Sequence, residues 1–189
     1  MGTALPRSCS LLALGLTLAL TPATVGCGAG QYGYAREYEP LGDEDDYIEA
    51  EQATGYEEVK RDPNAFRSQL IGWFGVVTAV EPGENGESRV AMTHRVHQDR
   101  HLCADETAGS CRVTVSDRQS GPFTALVRLR PEDAAGHEDR VWIGSLIKVY
   151  GSPTGDFDAQ GGPVLQSRWY RHWPRGYYRT TAARGLMRR

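Results

Sequence analysis

After residue 62, polar and apolar positions fall into short runs of period two, and no stretch of ten or more residues there carries a helical repeat. Residues 70–80 (LIGWFGVVTAV) are rich in β-branched and aromatic side chains and predict a strand, with Gly72 and Gly75 implying a bulge or sharp bend. A turn at 82–86 (PGENG) follows. Residues 89–98 then alternate, placing Val90, Met92, His94 and Val96 on one face and Arg89, Thr93, Arg95 and His97 on the other. Alternation resumes at 112–116 and again at 122–130, where Phe123, Ala125, Val127 and Leu129 are in phase. Residues 131–136 open with Pro and close with Gly, which predicts one helical turn. Two last strands follow at 145–150 and 162–170, separated by Gly-rich turns.

Three strand groups, a helical insertion and two more strands are the chain plan of an OB-type barrel. The expected fold is therefore mainly β: a small OB-like barrel of five to six strands with one short helical insertion, occupying residues 62–174. Residues 27–61 read as an acidic flexible tether, because acids crowd the stretch from Glu37 to Glu58 and aliphatic side chains are too few to bury a core. A short helix within 45–60 is compatible with the pattern, and Tyr32, Tyr34, Tyr38 and Tyr47 punctuate the acidic run. Residues 175–189 read as a basic tail, since from Arg168 onward the chain carries arginines and no acid.

The N-terminus has a different character. Met1 to Ser8 carries one positive side chain, Arg7, and an uncharged apolar stretch covers 9–20. That stretch is too short for a membrane-spanning helix, which needs ~20 residues, and it reads as the h-region of a signal peptide covering 1–26. Thr24-Val25-Gly26-Cys27 resembles the lipobox of bacterial lipoproteins, which implies cleavage before Cys27 and acylation of its thiol. The other reading of the leader is ordinary secretion with cleavage after Thr21-Pro22-Ala23, leaving Cys27 as a thiol. Gly28, in place of an Asp that retains enterobacterial lipoproteins at the inner membrane, implies by the same resemblance delivery to the outer membrane.

A second resemblance lies in the domain itself. The stretches FRSQLIGWFGVV, GSLIKVYGSPTG and GGPVLQSRWYRHWP are similar to the opening strand, the later glycine-bounded strand and the terminal aromatic motif of Slp-like outer-membrane lipoproteins. The likeness spans about residues 62–174, and the segment containing Cys103 and Cys111 departs from it. It implies an envelope lipoprotein with a β-barrel domain, and it brings no catalytic residues to transfer.

Without the leader the chain is about 160 residues, enough for one domain, and the net charge of the whole sequence is -3. Of four cysteines, Cys9 lies in the leader and Cys27 in the lipobox, so Cys103 and Cys111 are the pair expected to form a disulfide. The spacing is not that of a Cys-x-x-Cys redox pair. His94, His97 and His101 form the one cluster resembling a metal site. Residues three apart on a strand face opposite ways, however, so no metal and no cofactor is expected. Hydrolase elbows, phosphate loops and zinc-protease motifs are absent, and no enzyme activity is expected.

Candidate binding residues are Trp73 and Arg95 on the barrel and Arg168, Trp169, Arg171, Trp173 and Arg175 towards the C-terminus. Arginines interleaved with aromatics suit a phosphate-bearing or sugar surface, or a frayed tail after a last strand that ends in the core; both readings stand. The expected role is a membrane-anchored, non-enzymatic interaction or assembly component with an envelope protein partner. The alternative is a module binding a glycan, an anionic lipid or lipopolysaccharide, with single-stranded nucleic acid ranking last.

Overall fold

The computed structural model describes residues 30–105 and 109–187. The segment 1–26 expected to be a signal peptide, Cys27, Gly28 and the terminal Arg188 and Arg189 lie outside the described residues. Six strands form one sheet: β1 (Ile71–Pro82), β2 (Ser88–His97), β3 (Val113–Val127), β4 (Leu146–Phe157), β5 (Pro163–Trp173) and β6 (Tyr178–Thr180). β1 pairs antiparallel with β2 and β4, β2 with β3, and β4 with β5. A parallel pairing of β3 with β5 at Thr124–Val164 closes a five-stranded barrel in the order 1-2-3-5-4, the OB-type arrangement. β6 lies outside the barrel, parallel to the start of β3. The helical insertion between β3 and β4 is one 3-10 turn, Pro131–Asp133.

Two strands run on past their expected ends. The alternating runs at 112–116 and 122–130 are joined through 117–121 into one fifteen-residue strand, β3, which stops at Val127 and whose partners on β2 shift between Thr93 and Arg95 and again between Arg95 and His97. β4 continues through the 151–155 glycine segment, because a side chain at Gly151 would sit 2.5 Å from the Gln166 carbonyl and its absence lets the ladder proceed with a shifted register. Gly72 and Gly75 are not themselves bulged; the β1 irregularity falls between Val77 and Ala79. Both are sites of close approach: a Cβ on Gly75 would meet Phe123 at 2.8 Å, and one on Gly72 would meet the Glu51 carboxylate at 1.7 Å.

Period-two patterning sends Ile71, Trp73, Val77, Val90, Met92, Phe123, Ala125, Ile147, Val149 and Leu165 into a single core. The opposite face of β1, β4 and β5 is buried as well. Phe74, Leu146 and Trp173 join Val113 and Val115 in a second cluster, covered by Tyr32 and Tyr38 from the N-terminal side and by Tyr177 and Tyr178 from the C-terminal side. The cover is the segment expected to be a tether. It contains α1 (Asp45–Ala50) and α2 (Tyr56–Arg61), and α2 adds Tyr56 and Val59 to the inner core. The basic tail likewise contributes β6 and a 3-10 turn, Thr181–Gly185, and is no free extension over 175–187.

A buried ion pair pins this cover. Glu44 has no exposed surface, and its carboxylate accepts from Arg171 Nη1 at 2.9 Å, Tyr150 Oη at 2.7 Å, the Leu41 amide at 3.1 Å and Tyr38 Oη. Arg171, 2% exposed, also donates to the carbonyls of Glu39 at 2.7 Å and Gln31 at 3.3 Å. Next to it, Lys148 pairs with Glu51 at 3.5 Å. From the residues on either side of Arg171 in β5, Asp133 accepts from Tyr170 Oη at 2.6 Å and lies 2.7 Å from His172 Nδ1, and it also accepts from Arg130 Nε at 3.0 Å, fixing the 3-10 turn to the sheet. Cys103 and Cys111 are bonded, with Cα atoms 4.0 Å apart, and close a loop that includes 106–108, outside the described residues.

A buried carboxylate with a full set of donors is costly to alter on one side only. Glu44→Gln should lower unfolding free energy by ~3 kcal/mol or more, read from the urea midpoint, whereas replacing Glu44 and Arg171 together by Leu and Met should recover most of that loss. Equal losses in the single and double variants would contradict the clamp.

Candidate groove beside strands β1 and β2

Where the chain leaves α1 it runs past β1 before entering α2, and Gln52 donates from its amide to the Leu70 carbonyl at 2.8 Å. Between this crossing segment and the first two strands lies an open groove of about 690 Å³. One wall is aromatic. The Tyr56 and His94 rings stack at 5.2 Å, with Trp73 5.2 Å from His94. Each of these polar rings is tied back into the fold: Tyr56 Oη donates to the Pro122 carbonyl at 2.8 Å, Trp73 Nε1 to the Thr54 carbonyl at 3.0 Å, and His94 Nδ1 is 2.9 Å from Ser120 Oγ. The other wall belongs to the outer face of β1, where Phe74 and His97 stack at 4.7 Å with only 8° between planes.

Charge in the groove is mixed. Lys148 and Arg95 face the carboxylates of Glu51, Glu57 and Glu58 among the lining residues. Arg95 Nη1 donates to the Ser116 carbonyl at 3.2 Å and to that of Asp117, which leaves its Nε unpartnered among the described residues. Glu51 Oε2 and His97 Nε2 are also buried without a hydrogen-bond partner among the described residues. Burial raises the Glu51 pKa against the pull of Lys148, and burial lowers that of Lys148 against the pull of Glu51. Burial also lowers His94 and His97 to about 4, so both rings are neutral at pH 7. The groove thus presents donors, acceptors and ring faces without an excess of positive charge.

Trp73 and Arg95 both line this groove, although Trp73 is 3% exposed and belongs to the inner core. The C-terminal candidates do not form one surface, because the N-terminal cover divides the outward face of β5, Arg168 sits at a register shift and Arg175 lies past the strand. Arg171 and Trp173 are buried under the N-terminal cover, Trp169 is half-buried and stacked on Tyr47 at 5.7 Å, and Arg168 and Arg175 are exposed. The histidine cluster divides too. His97 and His101 rings are 5.9 Å apart on the outer face, while His94 packs on Tyr56 and Trp73 inside. Among the described residues no three His, Cys, Asp or Glu side chains could hold one metal ion.

Glu51, Lys148 and His97 complete the groove, and sequence reasoning did not assemble them. The outward alternation of Lys148 with Tyr150 on β4 is the one signal that a charged residue there sits among aromatics. A second cavity, of about 410 Å³, is bounded by Tyr32, Arg130, Asp133, Asp139 and His172. The Asp133–His172 pair borders it, and no serine, threonine or cysteine is among its lining residues.

Three histidines, His94 and His101 buried and His97 half-buried, make stability depend on pH. His94, His97 and His101 are each held near 4 by burial, against ~6.5 when unfolded. Between those values the unfolded chain takes up protons that the folded chain refuses, so stability falls as pH drops through the window from ~6.5 to ~4 and the loss levels off below it. His97→Gln should reduce the slope of unfolding free energy against pH near pH 5 by up to ~1.4 kcal/mol per pH unit, measured by denaturation at a series of pH values. An unchanged slope would mean that His97 titrates normally in the fold.

No family model matches the chain, and neither the curated proteins nor the solved structures contain a match to it.

Proposed function

We propose that the chain is a lipid-anchored protein of the bacterial cell envelope whose OB-like barrel binds a neutral, polyhydroxylated ligand of the glycan class in the groove beside β1 and β2, with no catalytic step. The anchor rests on the leader: an apolar stretch too short to span a bilayer, ending in a small residue and Cys27. Two or three acyl chains on Cys27 would hold it at a membrane almost permanently, since each buried methylene contributes ~0.8 kcal/mol. Gly28 and the similarity to Slp-like lipoproteins support the outer membrane as its address.

The ligand reading rests on one observation: Glu51, Arg95 and His97 line the same aromatic-walled groove, and each carries a buried polar atom, Oε2, Nε and Nε2, that is unpartnered among the described residues. Buried polar atoms are costly unless a partner reaches them, and sugar hydroxyls both donate and accept. Charge selects against the other classes. With three lining carboxylates against two cations and neutral histidines, the groove has no net attraction for a phosphate backbone or an acidic lipid. The docking of an envelope protein has its own support in Val96, 54% exposed among the groove residues, and comes second.

Titration of the protein carrying Cys27→Ser with a neutral N-acetylglucosamine tetramer, followed by amide chemical shifts, should move resonances of Gly72, Arg95 and His97. Arg95→Ala or Glu51→Gln should weaken binding by about 10-fold, the effect of ~1.4 kcal/mol. Shifts absent from the groove, or tighter binding of an acidic oligosaccharide, would sink this reading.

A further inference from the structure

The turn between the 3-10 insertion and β4 displays two large apolar side chains that the fold does not use. Trp142 and Ile143 are each 52% exposed and adjacent in sequence, in a β-turn closed by the Ser145 amide donating to the Trp142 carbonyl at 2.9 Å. Turn positions of this kind favour Asp, Asn, Ser or Pro, not Trp and Ile. Nor is this a loose loop. Gly144 takes φ 88°, its amide donates to the Val77 carbonyl at 2.9 Å, and its carbonyl accepts from Tyr178 Oη at 3.0 Å. The Trp142 amide reaches Ser145 Oγ at 3.2 Å. The backbone is therefore fixed in a shape that holds both side chains outward.

Two arginines flank the tip. The Arg140 guanidinium lies 4.8 Å over the Trp142 ring, and the Arg175 side chain passes 3.4 Å from where a Cβ on Gly144 would be, its residue exposed. Glu138 and Asp139 lie just before the tip, and Asp139 is tied to Tyr32, whose hydroxyl donates to it at 3.2 Å. A ring with a polar edge beside guanidinium groups suits the boundary between acyl chains and phosphate headgroups.

The start of the described chain lies at the same pole. Tyr32 bonds to Asp139 and packs at a tilt against Tyr177, ring centres 4.5 Å apart, next in sequence to the tyrosine that holds Gly144. Cys27 precedes Gly30 by three residues, a span of at most ~11 Å. An acyl chain on Cys27 would thus enter the bilayer close to this turn.

We propose that the Trp142–Ile143 turn is a second membrane contact, inserted at the headgroup boundary with Arg140 and Arg175 against lipid phosphate, so that anchor and turn together fix the barrel's orientation on the membrane. The proposal rests on the anchored reading of Cys27 and deepens it. The occupant is a lipid bilayer.

The test uses the full chain as cells process it, purified from membranes and reconstituted in phosphatidylethanolamine–phosphatidylglycerol vesicles containing lipids brominated near the headgroup. Part of the tryptophan emission should be quenched, and Trp142→Phe should abolish the quenched part while the emission of Trp73, Trp169 and Trp173 persists. An unchanged thermal midpoint for that variant shows that its fold is retained. The mass of the N-terminal peptide reports the anchor separately. Acylated Cys27 with no quenching at Trp142, or equal quenching in Trp142→Phe, overturns the turn contact and leaves the anchor standing. Quenching at Trp142 with unmodified Cys27 upholds the contact and overturns the anchor, and absence of both overturns both.

Discussion

Glu44 and Arg171 meet with almost no contact with water, and where that pair sits decides which surfaces of the barrel are covered. A guanidinium near the C-terminal end of β5, pointing away from the barrel interior, would ordinarily face solvent. Here it is enclosed between Tyr38 and Trp173, with its centre 5.2 and 4.8 Å from their rings, and a carboxylate and main-chain carbonyls accept from its Nη1 and Nη2. The segment supplying them, from Gln31 to Glu44, is thereby fastened across the outer face of β4 and β5. Desolvation makes such a pair a poor source of net stability, but it is highly selective for one docking position, because any shifted placement would leave a buried charge unpaired.

That docking position has consequences along the chain. Once Glu44 is fixed, α1 delivers Glu51 over Gly72 to Lys148, and the crossing stretch then reaches α2, whose Tyr56 enters the inner core. The groove is the space left between this crossing and the first two strands. Its unpaired polar atoms are therefore a by-product of the same covering that buries the outer face. At the opposite end of the cover, Tyr32 is brought beside Asp139 and Tyr177, which sets the chain's entry point next to the Trp142 turn.

The barrel was legible from period-two runs, because each strand's inner face follows a local rule: Trp73 and Val77 on β1, Val90 and Met92 on β2, and Phe123, Ala125 and Val127 on β3 all point where alternation places them. The disulfide was legible from the count of cysteines outside the leader. The cover was not. Residues 30–61 read as solvated because their acids outnumber their aliphatics, yet the partner that buries Glu44 lies 127 residues away, beyond the reach of any local pattern. One sign was present: Phe74, Tyr150, Trp169 and Trp173 occupy outward positions, more aromatic surface than a face left to water carries. Of the groove, Trp73 and Arg95 were identifiable as an aromatic and a cation on neighbouring strands. Glu51 and Lys148 needed the cover to be seen.

Native-state hydrogen exchange tests the central claim, that the N-terminal segment is one cooperative unit with the barrel, most directly. The amides of Ile48 and Gln52, which donate to the Glu44 and Leu70 carbonyls, should open with the same free energy as the ladder amides of β1 and β4, within ~1 kcal/mol. Exchange of those amides at the rate of an unstructured peptide, while the barrel stays protected, would contradict it.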